Sequence, residues 1–185
     1  MLASLADPFI ALLSSEPFGA LGVLAGFAAA LMPRRTPILL ASALCSALFC
    51  AHFLRLGSAT GAAMCLISLA QSLAATRASQ ASRPAWLNGF FAASSAATVG
   101  LTLATWAGWS SALAGTGALF ATAARLQIDA QRMRWLLLAC TLCWIGHNSL
   151  VGSISGLTGD TLTLVGLSVG LWRGRDARDG RLAPA

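Results

Sequence analysis

Two histidines, His52 and His147, sit in the same short frame: residues 51–61 read AHFLRLGSATG and residues 146–156 read GHNSLVGSISG. Both are His-x4-Gly-Ser-x-[Ser/Thr]-Gly, 95 residues apart, and they hold the only two histidines of the chain. Histidine titrates near neutral pH and ligates metals. A matched pair has three chemistries open to it: sensing protons, holding one ligand between two halves, or clamping a haem or a metal ion. The plain alternative is that each ring bonds a neighbouring carbonyl or serine. Trp144 and Asn148 lie one turn apart on one helix face; an aromatic platform beside an amide suits a polar, ring-shaped solute, whereas Trp at headgroup level also serves as an anchor.

Asp160 is the sharpest signal. An ionised side chain in hydrocarbon costs roughly 2.5–3.5 kcal/mol on insertion scales, and Asp160 falls about two turns inside an apolar stretch beginning near residue 154. A helix starting only at Thr161 would leave about 12 residues before Arg173, too few to cross a bilayer, so Asp160 reads as buried. Arg55 has three readings: attracting an anionic solute, pairing with Asp160, or touching lipid headgroups. No Ser-His-Asp set, HExxH, Walker loop or dinucleotide turn is present, and six acids in all leave few carboxylates for acid–base work. The expectation is a protein that is not an enzyme, with no cofactor and no metal site implied.

The elements that must position these residues follow from composition. Apolar residues make up 57% of the chain and charged residues 10%, against about 25% charged in soluble domains. Most of the backbone must therefore close its own hydrogen bonds as helices in a lipid bilayer. All 12 cations are Arg, placed at the ends of apolar runs, which excludes a nucleic-acid patch. The five cysteines lie inside apolar segments and read as buried small side chains rather than a disulfide framework.

Apolar runs of about 20 residues predict seven spans, near 17–33, 37–56, 58–76, 86–106, 108–124, 133–152 and 154–172. Residues 1–16 read as an interfacial segment without a signal peptide, and 173–185 as a tail. With the N-terminus placed outside, eleven of the twelve arginines fall on the cytoplasmic side and only Arg55 outside, which sets the C-terminus in the cytoplasm. The 95-residue offset also pairs Gly22 with Gly117, Leu31 with Leu126 and Cys45 with Cys140. The expected architecture is all-α: a first three-helix repeat (17–76), a linker with an inverting helix (77–107) and a second three-helix repeat (108–172). Because three is odd, the inverting helix makes the repeats parallel, with a cavity on their pseudo-two-fold axis.

Four GxxxG spacings, Gly22–Gly26, Gly57–Gly61, Gly152–Gly156 and Gly166–Gly170, predict close helix packing. A homo-oligomer is compatible with such faces. The fourth span carries only Asn88 and hydroxyl residues, which can bond back to their own helix, so it is expected to supply bulk and direction rather than chemistry.

The run Cys143-Trp144-Ile145-Gly146-His147-Asn148, followed by Gly152-Ser153-Ile154 and Asp160, with His52 and Gly57 in the first motif, resembles the YgjV family of bacterial inner-membrane proteins over residues from about 17 to 173. The resemblance implies a location and no activity. The three-plus-one-plus-three plan is also similar to that of the SWEET sugar transporters, the PQ-loop proteins and the Pnu-type vitamin transporters, although no Pro-Gln dipeptide occurs here. The function expected is transport or facilitated passage of a small polar solute, with His52, His147, Asn148, Asp160, Trp144 and Arg55 at the site. The alternatives are a membrane receptor or adaptor that binds without transport, and a haem- or metal-binding protein using His52 and His147.

Overall fold

The computed structural model describes residues 16–78 and 84–178. Residues 1–15 of the interfacial segment expected over 1–16, the core of the linker at 79–83 and the tail from 179 lie outside the described residues. Among these there are seven helices and no strands: α1 (Pro17–Leu31), α2 (Arg35–Arg55), α3 (Ala59–Ala75), α4 (Ala85–Ala104), α5 (Trp109–Leu126), α6 (Ala130–Val151) and α7 (Ile154–Arg178). Their positions follow the seven expected apolar runs. The last differs at its end, since α7 continues to Arg178 where a tail was expected from 173; nothing between Trp172 and Arg178 forbids another turn, and Ala and Arg favour one.

Local chemistry explains the boundaries. Pro17 opens α1 at a position where its missing N–H costs nothing. Pro33 then biases Met32 away from helical geometry, and Met32 is extended at ψ 133°. Asp129 caps α6 by accepting from the Arg132 backbone N–H at 2.8 Å. The turns after α2 and α6 are alike: Gly57 and Gly152 hold φ of 70° and 71°, a left-handed conformation that costs other residues about 1–2 kcal/mol. Each turn is closed by the same backbone bond, Ser58 N–H to Phe53 O at 2.9 Å and Ser153 N–H to Asn148 O at 3.0 Å.

These two glycines correct one expectation. Gly57–Gly61 and Gly152–Gly156 are not helix faces, because the first glycine of each pair sits in a turn outside the helix. The other two spacings do mark close approach. A Cβ at Gly22 would lie 2.9 Å from the Phe49 ring, and one at Gly166 would lie 2.8 Å from the Ala30 Cβ.

The helices close a ring in the order α1, α2, α3, α5, α6, α7 and back to α1, with α4 outside, packed on α3 and α5 alone among the closely contacting pairs. Three helical stretches are long and apolar enough to cross a membrane: Arg35–Arg55, Ala85–Ala104 and Ile154–Gly174. Pro17–Leu31 and Ala59–Ala75 are shorter apolar helices. Large side chains point outward, including Leu44, Leu54, Leu66, Leu103, Ile154 and Val165, while much of the interior is Ala, Gly, Ser, Thr and Cys. That inversion suits lipid on the outside, where small residues let helices approach and outward leucines cost nothing.

Arginines bind one end of the ring together. Arg35 donates to Ala75 O, Ala78 O, Arg125 O and Gln127 O, all at 2.9–3.1 Å. Arg134 donates to Met32 O at 2.9 Å, linking α6 to the end of α1. An apolar cluster of Ile38, Leu39, Ala75, Leu87, Phe91, Ala124 and Met133 fills this end. Arg125, expected in a loop with the orienting arginines, instead lies within α5 and is buried. The small residues before it, Ala121 and Thr122, leave room for its side chain to fold inward.

Candidate functional site

The inner walls of the ring line a half-open cavity of about 150 Å³. That is the size class of an engineered apolar cavity known to take benzene. Here the lining is mostly apolar, with Ile38, Phe49, Leu137 and Leu167 among it, and set into it are the hydroxyls of Ser42, Ser46, Ser68, Thr141 and Thr163 and two ionisable groups, Arg125 and Asp160.

Asp160 reaches this space from α7, where the glycine at 159 lets the helix pass close to Val23 and Phe49. Its Oδ2 accepts from the Asn148 amide at 2.7 Å, which places the carboxyl in a defined rotamer against α6. The Asn148 carbonyl oxygen is buried without a partner among the described residues. Asp160 Oδ1 makes no hydrogen bond among the described residues and is not sealed by protein, so it faces the cavity.

Arg125 approaches from α5. Its Nε donates to Ser72 Oγ at 2.8 Å and its Nη1 to Gln71 Oε1 at 3.3 Å. Gln71 is itself fully buried, accepting from Thr122 Oγ1 at 3.0 Å and donating to Ser94 Oγ at 2.7 Å. With two sides of the guanidinium thus held, Nη2 has no hydrogen bond among the described residues and opens on the cavity. No described carboxylate forms an ion pair with Arg125.

An aromatic layer closes the opposite end. Phe53 stacks on Trp144 with centroids 5.7 Å apart and an interplanar angle of 18°. The two histidine rings flank Phe53 at 5.4 and 5.5 Å. His52 Nε2 bonds Ser153 Oγ at 3.0 Å, and that hydroxyl also accepts from Gly156 N–H at 3.0 Å. Glu16 Oε2, an acceptor, lies 3.5 Å from Nδ1 and favours the Nδ1–H tautomer, in which the serine hydroxyl donates to Nε2. His147 Nδ1 donates to Ser110 O at 2.8 Å, so its Nε2 is an acceptor, and it is buried without a donor. A Cβ at Gly61 would lie 3.1 Å from that nitrogen and 2.9 Å from Ser58 Oγ.

The six expected site residues thus divide. Trp144, Asn148 and Asp160 line the cavity. His52 and His147 lie in the layer above it, separated by Phe53, and do not face one another. Arg55 is exposed over the Phe18 ring at 5.9 Å and shares a second, outer pocket with Glu16, Phe18, His52 and Leu56; of its three readings, the pairing with Asp160 is not formed, since Asp160 is bonded to Asn148. Among the described residues no group of three or more His, Cys, Asp or Glu is placed to hold a metal. Arg125 and Gln71 were missed by sequence reasoning. The signal for Gln71 was available, since it is an amide within an apolar run, where an unpaired polar group is costly.

The sequence of this all-helical ring with lipid-suited outer faces matches one family model, described as a bacterial inner membrane protein, over residues 13–178. The chain belongs to this Imp-YgjV family. No curated protein and no solved structure matches it. Membership establishes a bacterial inner-membrane protein.

Proposed function

We propose that this family member is a carrier or facilitator of a small polar solute, working in the lipid bilayer and not as an enzyme. The observation that carries the reading is the cavity: two ionisable groups and five hydroxyl residues line one half-open space between six helices. Polar groups at that depth are costly unless a ligand or water meets them. The architecture is read as two parallel three-helix repeats, 17–76 and 108–172, joined by the inverting α4 in a SWEET-like plan. Matching left-handed turns at Gly57 and Gly152 support it. So do crossed contacts at equivalent positions: Ser155 bonds Glu16 at 2.9 Å where Thr60 bonds Ser111 at 3.1 Å, each pair offset by 95 residues. Both histidine motifs lie at one end of the bundle, taken as periplasmic, with Arg34, Arg35, Arg132 and Arg134 at the cytoplasmic end.

A receptor that binds without moving its ligand would use the same cavity. Proteoliposome flux separates the two. Protein reconstituted with a panel of labelled small polar solutes should pass at least one, and Asp160→Asn should slow it while still purifying as a monodisperse species. Specific binding with no flux for any solute would make it a receptor; unchanged flux in Asp160→Asn would remove this cavity from the path.

A further inference from the structure

Two opposite charges in one low-dielectric cavity would ordinarily pair, because each left alone carries an uncompensated cost of burial. Here they do not. Arg125 is held away by Ser72 and Gln71, and Asp160 by Asn148. Each keeps one hydrogen-bonding position turned to the shared space: Arg125 Nη2, a donor, and Asp160 Oδ1, an acceptor.

Their separation can be worked from the helices. Asp160 lies six residues into α7 from Ile154, about 9 Å below the histidine end at the helical rise per residue. The guanidinium meets Gln71 and Ser72, which lie 12 and 13 residues into α3 from Ala59, about 18–20 Å below the same end. The charges are thus on the order of 10 Å apart along the bundle axis. Cys45, Cys140 and Thr141 line the wall with them, alongside the hydroxyls of Ser42 and Ser46.

We infer that the solute is an elongated zwitterion, whose anionic group is taken by Arg125 Nη2 and whose cationic group is taken by Asp160 Oδ1. This rests on the carrier reading for its biological use but not for its binding. Charged hydrogen bonds of about 2.8 Å at each end leave roughly 4–5 Å between the two ligand groups. An extended chain advances about 1.25 Å per bond along its length, so from the amine nitrogen to the carboxylate carbon that is three to four bonds, an amine and a carboxylate set apart by two or three carbons. An α-amino acid, with both groups on one carbon, is too short to reach both. The ligand meets both ionisable side chains at once, which neither a simple anion nor a simple cation does.

The test uses detergent-purified full chain and five probes: 4-aminobutyrate, glycine, butyrate, butylamine and xylitol. A ligand of the native state raises its apparent melting temperature by mass action, and titration gives Kd. 4-Aminobutyrate should bind at least tenfold tighter than each of the other four. Asp160→Asn, which is isosteric and retains an acceptor for Asn148, should weaken 4-aminobutyrate at least tenfold and leave butyrate unchanged. Arg125→Gln should weaken 4-aminobutyrate and leave butylamine unchanged; where it fails to purify, Asp160→Asn carries the test alone. Glycine or xylitol binding as tightly as 4-aminobutyrate, or none of the five binding to folded protein, overturns the zwitterion site. The carrier reading has its own measure: flux of xylitol without zwitterion selectivity would sink this inference and keep the carrier, whereas tight 4-aminobutyrate binding with no flux of any solute would keep the site and sink the carrier.

Discussion

Arg34 and Arg35 are adjacent and look alike in the sequence, yet replacing them should have very different consequences. Arg34 is exposed. Arg35 donates to four carbonyls in or just beyond the last turns of α3 and α5, groups that a helix leaves unsatisfied at its C-terminus. A net contribution of about 0.5–1.5 kcal/mol per hydrogen bond gives about 2–6 kcal/mol for four. Because this end of the bundle is only part-buried and water can replace some bonds, about 3 kcal/mol is expected for Arg35→Ala. On the scale of about 2–4 °C per kcal/mol for chains of 150–250 residues, the melting temperature in detergent should fall by roughly 6–12 °C. Arg34→Ala should stay within about 0.5 kcal/mol of the parent, as surface substitutions do. Arg35→Lys keeps the charge without the planar fork and should fall between. Melting followed by tryptophan fluorescence or by monodispersity on size exclusion reads all three. Equal shifts for Arg34→Ala and Arg35→Ala would show that the charge alone matters and would refute the bracing derived from the geometry.

Gly57→Ala and Gly152→Ala should each lower stability by about 1–2 kcal/mol, the cost of a Cβ in the left-handed region, while Gly57→Asn should lose less; a Gly152→Ala protein melting like the parent would contradict the turn geometry. A double-mutant cycle over His52→Ala and Ser153→Ala should give a coupling of about 0.5–1.5 kcal/mol in thermal or denaturant unfolding, and strict additivity would mean that the bond between α2 and the α6–α7 turn contributes nothing. In α4, Thr98 donates to Ser94 O and Thr102 to Thr98 O. Alanine at Thr98 or at the exposed Asn88 should therefore leave solute binding within twofold of the parent, and loss of binding from either would place α4 at the site.

Helix positions were legible because runs of about 20 apolar residues separated by Pro, Gly and Arg leave little choice of boundary. The common geometry of Gly57 and Gly152 was also visible as a repeated motif, though their turn conformation was not, since a glycine four residues before another reads equally as a packing face. Rotation about each helix axis was the hidden variable. Apolar residues surround most of these helices, so the sequence carries depth but little sense of which face looks inward. Asp160 lies six residues inside α7, whose start at Ile154 is the one the length of the apolar run required, and its partner Asn148 was among those named. Arg125 was counted as a loop cation because charge segregation alone orients arginines near a helix end, and nothing linear reveals that Gln71, Ser72 and Thr122 converge on it. The histidines were legible as a pair, but the phenylalanine between them belongs to α2 and enters only through the crossing of helices.

The position of α4 makes the two closing seams of the ring unequal. Along α3–α5, Thr60 meets Ser111, Gln71 meets Thr122, and Arg125 meets Ser72, with α4 laid over the outside and Arg35 fastened across one end. Along α1–α7, Ser155 reaches Glu16 near one end, and deeper down glycines meet Val23 and Ala30. Parting the first seam would strand buried hydrogen-bonding groups, whereas sliding along the second exchanges one set of dispersion contacts for another. The molecule is therefore fastened by different means at its two seams: buried hydrogen bonds hold α3 to α5, while close packing of small side chains holds α1 to α7.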